Sequence, residues 1–236
     1  MSTRKSSKPF TNRLLAALPK KEYQRLLPEL KPVTLTFGDI LFEPGEAIRH
    51  VYFPNNSIIS LLTAVEDRAM LEVGMVGNDG MAGLSLFMGV NKSLCRGLVQ
   101  GTGSALKMKA TALRREVSDG GFLHRLLLRY THSLITQISQ SAACNRFHLV
   151  NARLARWLLM THDRVEGDDI HLSQEFLSHM LGVRREQVSL SASSLQKQKL
   201  INYNRGRIKI LDRTGLEAAA CKCYAIVREE SDNSLE

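Results

Sequence analysis

The stretch LSQEFLSHMLGVRREQVSLSASSLQKQKLI, residues 172–201, decides how the fold of this chain is predicted. Ser173 precedes an apolar-periodic run and is a residue type that accepts a backbone hydrogen bond as a helix N-cap. That helix should end at Gly182, because glycine adopts the positive backbone angle of a sharp turn without steric cost. A second helix is predicted from about Arg184 to Gln198. Two short helices joined in this way form a helix-turn-helix, whose second helix enters the major groove of DNA.

The start of the second helix carries side chains that can recognise bases. Arg185 can donate two hydrogen bonds to guanine, and Glu186 can accept one from the amino group of cytosine. Arg184 is better placed for a phosphate, which fixes position without reading sequence. The full set of predicted DNA contacts comprises polar and basic residues of both helices and of the hairpin described next: Ser173, Gln174, Arg184, Arg185, Glu186, Gln187, Ser189, Arg205 and Arg207.

The residues that follow predict a β-hairpin. LINYNRGRIKILDRTGL, residues 200–216, contains a strand, a tight turn at Gly206 and a second strand, the pattern of the wing in a winged helix. Between Arg184 and Arg213 there are eight Lys or Arg against two acidic residues, a local charge of +6. Such a charge density suits salt-dependent binding to phosphates.

The composition of the whole chain also favours a polyanionic partner. The chain has 236 residues, a formal charge of +9 and 44% hydrophobic residues, enough for two modest domains. Charge alone leaves nucleic acid and an acidic membrane surface open. No apolar run approaches the roughly 20 residues that span a bilayer, and the N-terminus lacks the apolar segment of a signal peptide. We therefore expect a cytoplasmic protein without membrane contact.

The pattern of apolar residues before the helix-turn-helix changes twice along the chain. From Val33 to about residue 118, short apolar or alternating runs are separated by turn signals, which predicts a small β domain. A long helix follows at 119–145. Its apolar stripe has helical spacing and consists of Leu123, Leu127, Tyr130, Leu134 and Ile138. This stripe must be covered, either by the β domain or by its copy in a second chain as a short coiled coil.

Together these features resemble the Crp/Fnr superfamily of bacterial transcription regulators. The resemblance runs from LLAALP and ILFEPGEAIRHVYFP through the β half to the winged-helix segment that ends in RGRIKILDRTGLE. It implies an α+β fold with five parts: an N-terminal helical segment (1–32), a jelly-roll-like β-roll of the cyclic-nucleotide-binding type (33–118), a dimerisation helix (119–145), a winged helix-turn-helix (146–225) and a polar C-terminal tail (226–236).

The resemblance also implies partners and residue roles. It implies a homodimer on a palindromic operator, with the stripe from Leu123 to Ile138 as the dimer contact, and RNA polymerase as a further partner. The base-reading Arg and Glu of the family correspond to Arg185 and Glu186, while the family's final arginine is replaced by Leu190. Since leucine offers only an apolar contact, the operator half-site should differ from that of the best-known members.

The effector cannot be assigned from the sequence. Family members that bind cyclic AMP carry Gly-Glu-Leu and, about ten residues later, an arginine for the cyclic phosphate. The corresponding segment here is GMAGLSLFMGVNKSLCRGLV, residues 80–99, with no carboxylate for the ribose. Cyclic AMP is therefore not expected. The positions that correspond to an effector site are Gly83, Leu84, Ser85, Leu94 and Cys95.

The cysteines and histidines predict no cofactor. Cys95, Cys144, Cys221 and Cys223 are scattered, and the closest pair is C-x-C rather than C-x-x-C. A four-thiolate iron-sulfur cluster would require convergence from separate domains, and isolated histidines give no haem signature. We therefore expect no metal, haem or iron-sulfur centre.

Two classes of function remain open. The first is a sequence-specific transcription regulator. The second is a ligand-binding or interaction module whose winged helix contacts a protein. An enzyme is not expected, because the chain lacks a catalytic triad pattern, H-E-x-x-H and a phosphate-binding G-x-x-x-x-G-K-[ST] loop.

Overall fold

A computed structural model describes residues 11–64, 70–165 and 167–236. The first ten residues of the predicted N-terminal segment and the predicted turn at 65–68 lie outside this part. The N-terminal segment contains two short helices, α1 (Arg13–Ala16) and α2 (Lys20–Leu26), which are separated at Pro19. The Asn12 side chain caps α1 by accepting from the Leu15 amide at 3.0 Å. A 3-10 turn, Leu27–Glu29, leads into the first strand.

The predicted β-roll is built from two antiparallel sheets. Its strands are β1 (Lys31–Leu35), β2 (Ile40–Phe42), β3 (His50–Pro54), β4 (Ile58–Ala64), β5 (Met70–Val76), β6 (Arg96–Gly101) and β7 (Gly103–Lys109). One sheet has the order β1-β7-β3 and the other β2-β6-β4-β5. Val51 and Phe53 alternate with Tyr52 along β3, so their side chains share one face and are fully buried in the core. The predicted α+β fold class is confirmed.

Helices α3 (Ala110–Val117) and α4 (Phe122–Phe147) follow the roll. The stripe predicted for dimer contact is used within the chain: Leu123, Leu127, Tyr130 and Leu134 are buried in the core of the β-roll. The assignment of these four residues to a dimer interface was therefore wrong, because the roll needs a helix to cover its apolar side. Of the predicted stripe, only Ile138 is exposed.

The C-terminal half contains the predicted winged helix. Its elements are α5 (Val150–His162), β8 (Asp169–His171), α6 (Gln174–Leu181), α7 (Arg185–Lys197), β9 (Ile201–Asn204), β10 (Arg207–Ile210), α8 (Arg213–Ala219) and α9 (Cys223–Asn233). The wing has a third strand that was not predicted, because β8 pairs with β10 in a sheet of order β8-β10-β9.

The C-terminal residues differ from the expected polar tail at 226–236. Most of them belong to helix α9, which packs on α4 and α5. Tyr224 and Val227 are buried, and the Ser231 hydroxyl donates to Asp79 Oδ2 at 3.0 Å. Two buried residues one turn apart give α9 an apolar face, and this face holds the helix on the domain.

Further polar contacts join the roll to helix α4 and to the C-terminal half. The Trp157 indole donates to Glu72 at 2.7 Å, and Arg164 forms a buried ion pair with Asp79. The Gln137 amide bonds both the N–H of Met75 (2.6 Å) and its C=O (3.2 Å), which satisfies the outer edge of β5. Among the described residues, none of the helices combines the length and apolar character that crossing a bilayer requires.

Candidate nucleic-acid interface

The helix-turn-helix geometry follows the sequence signals closely. Ser173 Oγ accepts from the Phe176 amide at 3.1 Å and caps α6, as predicted. Gly182 ends α6 in the left-handed region, with φ 61° and ψ 43°. A Cβ at this position would lie 2.6 Å from Leu71 Cδ1 of β5, so the turn also lies close against the roll. Glycine is favoured here for its backbone angle, and a Cβ would also force the Leu71 side chain to move.

Helix α7 buries one face and presents the other to solvent. Val188, Ala192 and Leu195 point into the domain core. Arg185 and Glu186, in the first turn, are exposed. Leu190 is 72% exposed one turn later, so the residue that replaces the family's arginine lies on the outer surface of α7.

The start of α7 is fixed by one of the predicted DNA contacts. Gln187 Oε1 accepts from the Arg184 amide at 3.3 Å, which satisfies a backbone donor at the helix N-terminus. The Gln187 side chain therefore has a structural role in the described chain. Arg184 itself lies one residue before α7 in extended conformation, and its side chain is exposed.

The structure brings several of the predicted contacts together in two depressions. The first lies between α6, α7 and the wing, and its lining includes Ser173, Gln174, Arg185 and Arg205. The second runs along the wing sheet and includes Arg205, Arg207 and Lys209. Arg205 lines both depressions and therefore lies between α7 and the wing sheet. The remaining predicted contacts, Arg184, Glu186, Gln187 and Ser189, lie on α7 or immediately before it.

The tip of the wing is a two-residue turn. Arg205 has φ 47° and Gly206 has φ 81°, and the flanking residues Asn204 and Arg207 are paired across the hairpin. Positive angles at both central residues identify a type I′ turn, whose twist matches that of the adjoining strands. This turn holds a charged residue at the tip in a conformation that most side chains adopt at a cost.

The basic charge of the interface is largely available to a partner. The ion pairs found in the described parts of the chain do not include Arg184, Arg185, Arg205 or Arg207. Arg213 differs, since it pairs with Asp163 at 2.6 Å and with Glu217 at 3.0 Å. The predicted local charge of +6 therefore overstates what faces a ligand.

The positions proposed for an effector differ widely in burial. Gly83 has φ 95° and begins the 3-10 turn Leu84–Leu86, in which Leu84 is buried. Leu94 is 80% exposed, and Cys95 is half-buried. The nearby Arg96, the cation closest in sequence to the expected arginine position, pairs with Glu43 at 2.9 Å. An effector role for these positions stays a prediction.

The expectation of no metal signature is contradicted. Cys144, His148, Cys221 and Cys223 converge, with their potential ligand atoms all within 4.8 Å of one another. The Cys144 thiol hydrogen-bonds Cys221, which lowers the pKa of Cys221 below its usual range. Cys95 is not part of this group. The sequence signals that were missed are C-x-x-x-H at the end of α4, which places two ligands one helical turn apart, and C-x-C before α9.

Comparison with known proteins agrees with the winged helix. Residues 152–219 match the family model described as the Crp-like helix-turn-helix domain. A search of curated protein sequences finds no match. The chain therefore contains a winged helix-turn-helix domain of the Crp-like type.

Solved structures extend the likeness over most of the chain. FixK2 from Bradyrhizobium japonicum is 16% identical, with a TM-score of 0.69 over 81% of this chain and 98% of that one. A CRP-family transcriptional regulator from Thermus thermophilus is 19% identical, with a TM-score of 0.65 over 80% and 96%. The c-di-GMP responsive regulator CLP from Xanthomonas campestris is 15% identical, with a TM-score of 0.62 over 81% and 99%. The predicted resemblance is confirmed at the level of the fold: residues 152–219 match the Crp-like helix-turn-helix domain, and most of the chain shares its fold with these Crp/Fnr-type proteins.

Proposed function

We propose that this chain is a transcription regulator that acts as a homodimer and recognises a two-fold symmetric DNA operator through α7 and the wing. The observation that carries the proposal is the depression between α6, α7 and the wing, where Arg185 and Arg205 lie together in a Crp-like helix-turn-helix. Arg185 is exposed in the first turn of α7, the position from which a recognition helix reaches base edges.

Base reading and phosphate contact are assigned to different residues. Arg185 supplies the bidentate donor for guanine, and Glu186 the acceptor for cytosine. Arg184, outside the helix, and Arg205, at the tip of the wing, contact phosphates. Leu190 offers an apolar surface to a thymine methyl group. The proposed half-site thus contains a G·C pair opposite the first turn of α7.

Paired alanine substitutions separate the two roles. Arg185→Ala should cost about 1–3 kcal/mol of discrimination at one base pair, whereas Arg184→Ala should weaken binding to all sequences and reduce the salt slope by about one. The measurement is competitive binding to an operator and its single-base variants at two salt concentrations. An Arg185→Ala protein with unchanged base preference would refute the assignment. DNA affinity that is absent, or insensitive to salt, would instead favour a protein partner for the winged helix.

The proposed dimer face is a second stripe on α4. It consists of exposed or half-buried residues, small or apolar, at spacings of three, four, three and four: Leu128, Thr131, Ile135, Ile138 and Ala142. Such a heptad-like spacing is that of a two-stranded coiled coil. Helix α9 lies on a different side of α4, where Glu230 contacts His132 and Ser234 contacts Arg129. A second copy of the chain is the occupant that this repeat favours.

The dimer sets the expected operator. A two-fold axis along the paired α4 helices should place the two α7 helices in successive major grooves, with half-sites roughly 34–36 Å apart, or 10–10.5 base pairs. The same two-fold symmetry requires an inverted repeat. RNA polymerase, which the resemblance implies as a partner, is proposed on that ground alone.

Cyclic AMP is proposed not to be the effector. Leu94 stands exposed where the phosphate-binding arginine is expected, and Arg96 is paired with Glu43. Titration calorimetry with cyclic AMP should show no binding at millimolar ligand. Saturable binding with one site per chain would contradict this proposal without affecting the assignment of the DNA interface.

A further inference from the structure

Three cysteines and a histidine meet where α4 ends and α9 begins. Cys144 lies in the last turn of α4, and His148 is the residue that ends this helix. Cys221 and Cys223 flank Lys222 at the junction of α8 and α9. The four side chains therefore come from two parts of the chain that lie on either side of the helix-turn-helix in sequence.

The distances within this cluster suit one tetrahedral ion. The sulfurs of Cys144 and Cys221 are 3.4 Å apart, and Cys223 Sγ lies 3.7 Å from His148 Nδ1. With Zn–S near 2.3 Å and Zn–N near 2.0–2.1 Å, tetrahedral ligands are separated by about 3.5–3.8 Å. All four ligand atoms lie within 4.8 Å of one another. A multi-iron cluster holds its cysteines on different iron atoms and therefore needs wider spacing.

Two buried arginines beside the cluster point independently to an anionic centre. Arg153 and Arg156 are only 7% and 5% exposed, and neither belongs to an ion pair among the described residues. The Nε atoms of both lack a hydrogen-bond partner there. Arg153 Nη2 donates to the Leu181 carbonyl, and Arg156 makes only long contacts of 3.4 Å, to the Ser141 hydroxyl and to Met160 Sδ. Buried charges without an ion-pair partner are costly, so negative charge at the cluster would stabilise both guanidinium groups.

We propose that Cys144, His148, Cys221 and Cys223 bind one Zn²⁺ ion in a tetrahedral Cys₃His site. Three thiolates and one divalent ion leave a net charge of −1 beside Arg153. Thiolate and imidazole ligands select zinc over magnesium or calcium, which prefer oxygen. The ion joins the end of α4 to the start of α9 and so fixes the helix-turn-helix relative to α4. This inference concerns metal binding and stands apart from the proposed operator recognition.

The first test is the metal content of the full chain purified under reducing conditions without chelators. Mass spectrometry of the metals should find about one zinc per chain. His148→Ala and Cys221→Ser should lose this zinc. His148 is exposed and Cys221 half-buried, so both variants are expected to fold. Cys95→Ser is the matched control, because Cys95 lies outside the cluster, and it should keep its zinc.

A second measurement tests the type and geometry of the metal ligands without a substitution. Cobalt added to the metal-free wild type should give the visible absorption of a tetrahedral cobalt-thiolate site, and one equivalent of zinc should abolish it. Failure to retain zinc and to take up either metal under reducing conditions would overturn the proposal. A disulfide between Cys144 and Cys221 that persists under reducing conditions would also overturn the proposal. So would the finding of stoichiometric iron together with inorganic sulfide. The circular dichroism spectrum of each variant should match that of the wild type, which would show that the loss of zinc does not result from unfolding.

Discussion

Substitution of Ile135 by glutamate should dissociate the dimer. Leu128, Ile135 and Ile138 are 52%, 56% and 36% exposed, so roughly half of each side chain is available to a partner. Full burial of such a side chain stabilises by about 1.5–3 kcal/mol, so half contributes about 1 kcal/mol. Three residues on each of two helices then contribute about 6 kcal/mol. Ile135→Glu removes about 2 kcal/mol over both copies, a roughly 30-fold rise in the dissociation constant. Repulsion between the two carboxylates raises it further.

Sedimentation equilibrium over a range of chain concentrations measures this change. Leu211→Glu is the matched control, since Leu211 is 54% exposed but lies in the winged helix, outside α4. The control should sediment as the wild type does. If Ile135→Glu and the wild type associate with equal affinity, the α4 stripe is not the interface. If the wild type is monomeric at all concentrations and on operator DNA, the homodimer itself is refuted.

Three further substitutions probe the wing and the contacts of strand β5 with helices α4 and α5. Arg205→Asn should keep the type I′ turn, because asparagine tolerates positive φ, yet lower the slope of log K against log salt by about 0.9. Gln137→Leu leaves the Met75 N–H and C=O unpaired and should cost about 1–3 kcal/mol in urea unfolding. Burial raises the pKa of Glu72 to about 7 from 4.5, so the folded chain holds a proton that the unfolded chain releases, and stability should fall as the pH rises across this window. Glu72→Gln still accepts from Trp157 and should abolish that fall in urea titrations at pH 5 and pH 8.

Each of these predictions has its own control. Lys20→Asn makes the same charge change in helix α2 and should leave the salt slope unchanged. Gln140→Leu, also on α4 but only half-buried, should cost less than Gln137→Leu. If Arg205→Asn and Lys20→Asn have equal slopes of log K against log salt, Arg205 of the wing does not contact DNA phosphate. A pH dependence of unfolding that Glu72→Gln leaves unaltered would assign the titration to another group.

The winged-helix half was predictable because its signals are local. The N-cap at Ser173, the turn at Gly182 and the hairpin at Gly206 each specify backbone conformation within a few residues. The third wing strand, β8, was not predicted because it has only three residues and is defined by its pairing with β10. Helix α9 was not predicted because its apolar face is short and consists mainly of two residues, Tyr224 and Val227.

Non-local contacts explain the two larger errors. The stripe from Leu123 to Leu134 and the stripe from Leu128 to Ile138 both have helical spacing, and only the packed roll decides which one is covered inside the chain. Helical periodicity cannot distinguish an intrachain face from a dimer face. The cysteine cluster was missed for a similar reason: 77 residues separate Cys144 from Cys221, and the packing of α4 against α9 brings them together.

The central claim is that a dimer of this chain reads a symmetric DNA sequence. Selection of sites from a random duplex library by the purified wild type, beside the Arg185→Ala variant, tests it most directly. We predict an enriched inverted repeat with half-site centres about 10 base pairs apart, and loss of one base preference in each half-site for the variant. Enrichment of no sequence by the wild type, with or without cell extract, or an identical motif for both proteins, would contradict it.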